Sequence, residues 1–281
     1  MSSEPTNLID RVERRHIPLT ERIAGDSSLS TTLIRGLEIL SCFINGDQTL
    51  TNAQIAAQIG INKATVSRLC KTLIAMRYLR RDPNGGFRLA SGLLALSYPL
   101  LSSMRWRRQA VGLMQEYADF AKGNVSLAVF NGPDAVYIQT IGDITNFPHV
   151  PEVGMMVPVA DSATGRALLS LLSEEETAEK YIEVEAAYPG ALERSKLRIA
   201  EAVKDCREQG FCISFGEWRD SIYAMSAPIG RTKDGLYVTL SCGVPAYRVR
   251  KEEFKNDLAP RLAKVAKNLK LYNIFENQVQ P

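Results

Sequence analysis

Lys63, Arg68 and Lys71 stand close together in the chain, and Arg80, Arg81 and Arg88 follow within a few turns' length. Neither side chain type is a nucleophile at neutral pH. Their chemistry is the recognition of anions, by charge and by forked hydrogen bonds. Ala64, Thr65 and Ser67 lie among the first three. Small residues there allow close approach to a groove floor, Arg68 can fork onto a guanine edge or a phosphate, and Lys71 can neutralise a phosphate. A solvated amphipathic helix would carry the same outer face, so these residues alone leave two readings open. Groups suited to covalent chemistry are sparse. The two histidines, His16 and His149, offer little general-base chemistry, and Ser162-Ala163-Thr164-Gly165 resembles a nucleophile turn with no base nearby. No GxSxG, GxxxxGK[ST], GxGxxG or HExxH occurs, so neither an enzyme nor a cofactor is expected. A helix-to-strand break separates Cys206 from Cys212 and argues against their sharing a metal. No metal site is expected.

The elements around the cations give them a position. Ser30–Thr32 supply hydroxyls for a helix start, and Leu33, Leu37, Leu40 and Ile44 recur at helical spacing. Asn45-Gly46-Asp47 reads as a turn. Thr51 or Asn52 caps a second helix that Gly60 ends, and Asn62 caps a third running to about Arg77. Two short helices joined by a tight glycine turn form a helix-turn-helix pattern. At 100° per residue, Val66, Leu69, Cys70, Leu73 and Met76 share the inner side of the third helix, opposite Ala64, Ser67, Arg68, Lys71 and Ala75. Two short strands, Tyr78–Arg81 and Phe87–Leu89, flank Asp82-Pro83-Asn84-Gly85-Gly86, a hairpin turn. A hairpin directly after a recognition helix is a wing, which sets Arg80, Arg81 and Arg88 beside a phosphate backbone or minor groove.

The run Leu33-Ile34-Arg35-Gly36-Leu37-Glu38-Ile39-Leu40, then Ala64-Thr65-Val66-Ser67-Arg68-Leu69, Leu79-Arg80-Arg81-Asp82-Pro83 and Phe87-Arg88-Leu89, resembles the isocitrate lyase regulator (IclR) family of bacterial transcription factors. The likeness continues through Val159–Leu168 and Ala227-Pro228-Ile229, and so spans about residues 30–275. It implies a winged helix-turn-helix followed by a GAF-like sensor domain, with a connecting helix that helps to pair subunits.

Further along, Leu93, Leu96 and Met104 mark a helix with Pro99 inside it. From Val125 the pattern turns to strands: Val125–Phe130 and Ala135–Ile141 about a Gly132-Pro133 turn, then Phe211–Phe215, Tyr223–Ile229 and Leu236–Cys242. Helices read over Ser162–Leu172, Glu174–Ala187, Glu193–Gln209 and Glu252–Tyr272. Hairpins mixed with helices make an α+β chain whose sheet is mainly antiparallel. The division expected is a flexible arm over 1–29, a DNA-binding unit over 30–90, a linker helix over 91–109 and an effector-binding unit over 110–275.

By resemblance, the effector would touch Ala163 and Thr164, then Ile222 and Ala224, then Ser241 and Cys242. Gly216, or its neighbour Glu217, aligns with an acidic family position, and Ala224 with a family cysteine. The Thr164 N–H at a helix start favours an anion, and Met155, Met156 and Trp218 could add apolar walls, although methionines here read equally as core. Fewer polar groups than the family pattern leans toward an aromatic acid. A domain that serves only assembly remains the alternative.

The chain has 281 residues, 45% hydrophobic and 23% charged, with a mean hydropathy of −0.11. No apolar run is long enough for a membrane span. Net charge is −1 over residues 1–30, +8 over 31–108 and −4 over 109–281. A basic block beside an acidic one suits a polyanion-binding module joined to a different kind of domain. Five scattered cysteines without a CxxC argue against a disulfide framework and for a reduced, intracellular protein; the resemblance implies a cytoplasmic, nucleoid-associated one. One winged module makes too few base contacts for operator discrimination. A homodimer or homotetramer on a pseudo-palindromic duplex is therefore expected, and the resemblance implies control by a small organic acid.

Overall fold

The computed structural model describes residues 19–22, 26–44, 49–142 and 151–276. Most of the expected arm, the Asn45-Gly46-Asp47 turn and both histidines lie outside those residues. After a single helical turn, α1 (Leu19–Arg22), three helices follow: α2 (Thr31–Ser41), α3 (Asn52–Ile59) and α4 (Lys63–Ala75). The Thr51 hydroxyl accepts from Gln54 N–H while the Gln54 side chain accepts from Thr51 N–H, a reciprocal cap that fixes the start of α3. Gly60, at φ +68°, ends α3 in the left-handed region, and the Asn62 side chain starts α4 by accepting from Thr65 N–H at 2.8 Å. The core beneath them joins Ile39, Phe43, Leu50, Ile55, Val66, Leu69, Cys70 and Leu73 to Leu79 and Phe87 of the hairpin.

Two expectations for these helices change. The stripe Leu33, Leu37 and Ile44 faces outward, because α2 turns Ile39, Cys42 and Phe43 toward α4 instead. Met76 is exposed: α4 has ended at Ala75, and the chain leaves its inner face there. The hairpin strands β1 (Leu79–Arg81) and β2 (Phe87–Leu89) pair antiparallel, and Leu50 adds a bridge to Phe87. Gly86 allows that bridge. Its φ is +89°, and a Cβ would stand 2.7 Å from the Leu50 carbonyl oxygen.

Helix α5 (Gly92–Ser103) contains Pro99 and has no buried residue. After a 3₁₀ turn over Arg105–Arg108, α6 (Val111–Ala121) leads into a six-stranded antiparallel sheet. Its strands are β3 (Asn124–Asn131), β4 (Asp134–Ile141), β5 (Met156–Pro158), β6 (Cys212–Phe215), β7 (Ile222–Arg231) and β8 (Tyr237–Pro245), in the order β5-β4-β3-β8-β7-β6. The short β5 has too few residues to show alternation in the sequence. Helices α7 (Ala163–Leu169), α8 (Glu174–Ala187) and α9 (Ala191–Gln209) lie between β5 and β6 in the chain. The closing helix runs as α10 (Lys251–Glu253), a π turn over Phe254–Leu258, and α11 (Ala259–Lys270).

One face of the sheet packs on α6 and α11 through Met114, Leu127, Met225, Leu240, Cys242, Leu262 and Ala266. The other face meets α7, which brings Thr164 onto Ser241 of β8 and Ala163 onto Cys212 of β6. The chain is thus α+β with a curled antiparallel sheet. Among the described residues, no helix is long and apolar enough to cross a membrane.

Candidate nucleic-acid interface and ligand pocket

Helix α4 is sided. Val66, Leu69, Cys70 and Leu73 are buried, whereas Lys63, Ala64, Ser67, Arg68 and Lys71 are exposed and Thr65 is half-buried. No described carboxylate pairs with Lys63, Arg68 or Lys71. The first turn of α4 therefore presents small side chains flanked by free cations, the surface that a duplex groove accepts.

On the hairpin, Arg80 and Arg81 are exposed, and the Arg81 guanidinium lies over the Phe87 ring at 5.5 Å. Arg88 is placed differently from its two companions. It sits directly across from Arg80 in the β1–β2 register, where like charges repel. Its guanidinium forms an ion pair with Asp82 instead. Asp82 is buried and also accepts from Asn84 N–H at 2.9 Å and the Thr49 hydroxyl at 3.3 Å. The Asn84 N–H first, then the Arg88 contacts, hold its carboxyl below the usual range. Arg88 thus braces the hairpin, and its charge is already compensated.

The second site is a cavity of about 70 Å³ between the sheet and the start of α7. Strand register builds its floor. Ser126 of β3, Ser241 of β8 and Ser226 of β7 lie side by side on one face, and Asn124, Gly243, Ala224 and Ser214 form the next row. Small and hydroxyl-bearing residues leave the space that larger ones would fill. The hydroxyls are linked: Thr164 Oγ1 lies 2.9 Å from Ser241 Oγ, which lies 2.7 Å from Ser226 Oγ, itself 2.9 Å from Thr239 Oγ1. Burial raises the pKa of the Tyr137 phenol, and a hydrogen bond with Thr164 works against it. Asn124 Oδ1 is buried without a partner, an open acceptor at the edge of the floor. Pro151, Met155, Trp218 and Ile222 complete the walls.

Ala163, Thr164, Ile222, Ala224 and Ser241 all line this cavity. Cys242 borders it as well, with its thiol in the core on the other side of the sheet, whereas Glu217 is placed otherwise. Cys242 follows Ser241 in β8, so its side chain points to the opposite face, into the core beneath α6 and α11. Burial pushes its thiol pKa up. Cys212 lies on the α7 side of the sheet outside the cavity, buried with Ala167 and Cys206, and donates to Ala163 O at 3.4 Å. Its pKa is raised first by its hydrogen bond with Cys206 and then by burial. Glu217 turns away from the cavity to Arg166, at 2.5 Å. Met156 of β5 also stays out, its sulfur accepting from the Asn131 side-chain amide at the end of β3.

Arg219 and Tyr137 line the cavity without having been marked by the sequence reading. So do Asn124 and Ser126. A period-two run of small and polar residues within apolar strands, Asn124-x-Ser126, Ala224-x-Ser226 and Thr239-x-Ser241-x-Gly243, was the available signal for the floor. Arg219 sits in a loop, where no period applies.

Helix α7 has only seven residues. Its Ser162 cap hydroxyl accepts from Gly165 N–H at 3.0 Å and donates to Pro158 O at 2.7 Å. Gly165 is required by close approach, since a Cβ would stand 2.3 Å from the Val159 backbone. The anion-attracting power of this helix start is correspondingly limited.

The profile described as "IclR helix-turn-helix domain" matches residues 32–83, and that described as "Bacterial transcriptional regulator IclR C-terminal" matches residues 99–271. The crystal structure of an IclR family transcriptional regulator from Brucella abortus superposes with a TM-score of 0.74 at 31% identity, covering 95% of this chain and 98% of that one. The p-hydroxybenzoate hydroxylase transcriptional activator of Acinetobacter baylyi is 26% identical over 85% of this chain and 90% of its own length. An IclR homolog from Microbacterium hydrocarbonoxydans, crystallised with 4-hydroxybenzoate, shares the fold at a TM-score of 0.64 and 19% identity, over 85% of this chain and 99% of that one.

Proposed function

The chain belongs to the IclR family of bacterial transcriptional regulators, and on that footing we propose that it is a DNA-binding regulator controlled by a small organic acid. One observation carries the DNA half of this reading. The outer side of α4 offers Ala64, Ser67, Arg68 and Lys71 to solvent while its inner side is core. Residues 30–90 then form the DNA-reading unit, 91–109 the connector and 110–275 the effector unit, with 1–29 as an arm. Thr65 and Ser67 would contact the groove beside Arg68, and Lys63, Lys71, Arg80 and Arg81 the phosphates. Its site of action would be cytoplasmic, at the nucleoid.

A second copy would supply the other half-site. On one chain, Leu94, Leu96, Tyr98 and Leu100 of α5 are exposed, as are Leu33 and Leu37 of α2. Apolar surface of this extent on two helices suits burial against another subunit, in a dimer or a tetramer.

For the effector we infer an aromatic monocarboxylate, after the p-hydroxybenzoate-related name and the 4-hydroxybenzoate ligand of two relatives. Trp218 and Met155 offer a ring its walls, and Thr164, Ser241 and Asn124 offer polar partners. About 70 Å³ of free space is less than the roughly 150 Å³ of an engineered benzene-binding cavity, so a ring can seat only when a wall yields. That coupling is what control requires, because an effector moves an equilibrium only by binding its two states unequally. The test is operator affinity with and without each acid of an aryl and aliphatic panel. Thr164→Val with Ser241→Ala should abolish the response and preserve DNA affinity without effector. An unchanged response would remove both residues from the effector site.

A further inference from the structure

We propose that Arg219 takes the carboxylate of the effector, and that the Arg166–Glu217 ion pair fixes the strap on which Arg219 sits. The proposal rests on the effector-pocket reading above and names the group that gives that pocket its charge selectivity.

The strap is the segment 216–221 between β6 and β7. Gly216, at φ +86°, turns it sharply, and the next three side chains diverge. Trp218 and Arg219 line the cavity, and Glu217 between β6 and Trp218 goes to Arg166. Arg166 is only 1% exposed. Its Nε donates to Ala160 O at 3.1 Å, Nη1 meets Glu217 at 2.5 Å, and Nη2 is buried with no hydrogen-bond partner. A buried guanidinium with so few partners leaves its carboxylate little freedom, because breaking such a pair strands a buried charge. Glu217 is thereby held on α7, and the two residues after it are held over the floor.

Arg219 is the one charged side chain among the described residues that line the cavity. No described carboxylate pairs with it; its guanidinium stacks on the Trp218 indole at 4.4 Å. Burial works against its charge, which is the electrostatic cost that an arriving anion would offset. A cation in an otherwise neutral, hydroxyl-floored cavity selects an anion over a neutral molecule of the same shape. The planar fork suits a carboxylate in particular. Helix α7 competes poorly for that role, being short and already capped by Ser162.

Calorimetry on the full-length protein tests this with aryl and short aliphatic acids, each paired with its neutral amide (4-hydroxybenzoate with 4-hydroxybenzamide, for example). Wild type should prefer the acid to the amide, and Arg219→Gln should lose about 10- to 100-fold in acid affinity, the range of a charge-assisted hydrogen bond, with the amide unchanged. Glu217→Gln should weaken the acid in wild type but add nothing in the Arg219→Gln background, a dependence that general loosening of the fold would not produce. Retention of operator binding by each variant shows that it is folded. If wild type binds an acid and Arg219→Gln keeps the preference for it over its amide, the assignment of Arg219 falls while the effector pocket stands. If Glu217→Gln costs equally in both backgrounds, the strap role falls. If wild type binds none of the acids, the effector reading falls and takes this proposal with it.

Discussion

Replacing Arg80 and Arg81 together by alanine probes the hairpin as a phosphate contact, and the structure sets the size of the effect. Lys63, Lys71, Arg80 and Arg81 are exposed and unpaired by any described carboxylate, whereas Arg88 is bound to Asp82. If each of the four neutralises one phosphate, a paired head assembly releases counterions with a slope of log K against log salt of about −7, at roughly −0.9 per phosphate. Raising salt from 50 to 200 mM then weakens wild-type binding about 20,000-fold. Without Arg80 and Arg81 the slope halves, and the same change in salt costs only about 150-fold. Arg88→Ala should leave the slope where it was, because its charge is neutralised within the hairpin. Fluorescence anisotropy of a labelled operator duplex across a salt series reads all three proteins. Equal slopes for wild type and the double variant would refute the hairpin contact. A slope that falls as far for Arg88→Ala as for a single Arg80→Ala would refute the reasoning that Asp82 withholds Arg88 from DNA.

Two further outcomes follow from the same geometry. Arg68→Ala should cost about 1–3 kcal/mol on operator and less on random duplex if the guanidinium reads a base edge; an equal loss on both, in competition titrations, would make it a phosphate contact. Glu176 accepts from Tyr237 Oη at 2.6 Å and from Ser173 N–H at 2.9 Å, and these bonds, Tyr237 first, lower its pKa. A lowered folded-state value means stability that is present above the ordinary glutamate value of about 4.3 and is lost as pH falls through the folded value. Glu176→Gln should therefore flatten the acid limb of the urea midpoint below pH 5, and an unchanged limb would place the acid sensitivity elsewhere.

Much of the DNA-facing unit was legible because its information is local. The phase of α4 follows from 3.6 residues per turn, so Val66, Leu69, Cys70 and Leu73 declare the inner side and Arg68 and Lys71 the outer. Asn62, Thr51 and Gly60 mark their helix ends through bonds made within three or four residues. The same locality explains the errors. In α2 both Leu33/Leu37 and Ile39/Phe43 are apolar stripes, and periodicity cannot say which of two such stripes meets α4. In β8, Thr239, Leu240, Ser241 and Cys242 are all buried, since the strand is covered on both faces. Alternation then gives no inside or outside, so the resemblance placed Cys242 beside the pocket, which it borders, but could not show that its thiol belongs to the opposite core.

Local signals along the chain were enough for the order of helices, hairpin and sheet, and for the positive side of the reading helix, because turn residues, caps and side-chain period act over a few positions. Which charges are spent and which are left over is settled in three dimensions. Arg88 finds Asp82 across a hairpin, and Glu217 finds Arg166 from a separate element 51 positions earlier in the chain. Arg219 is left facing a cavity whose floor comes from four strands. Whether a charge is compensated depends on distances in space, and a linear pattern of residues does not contain those distances.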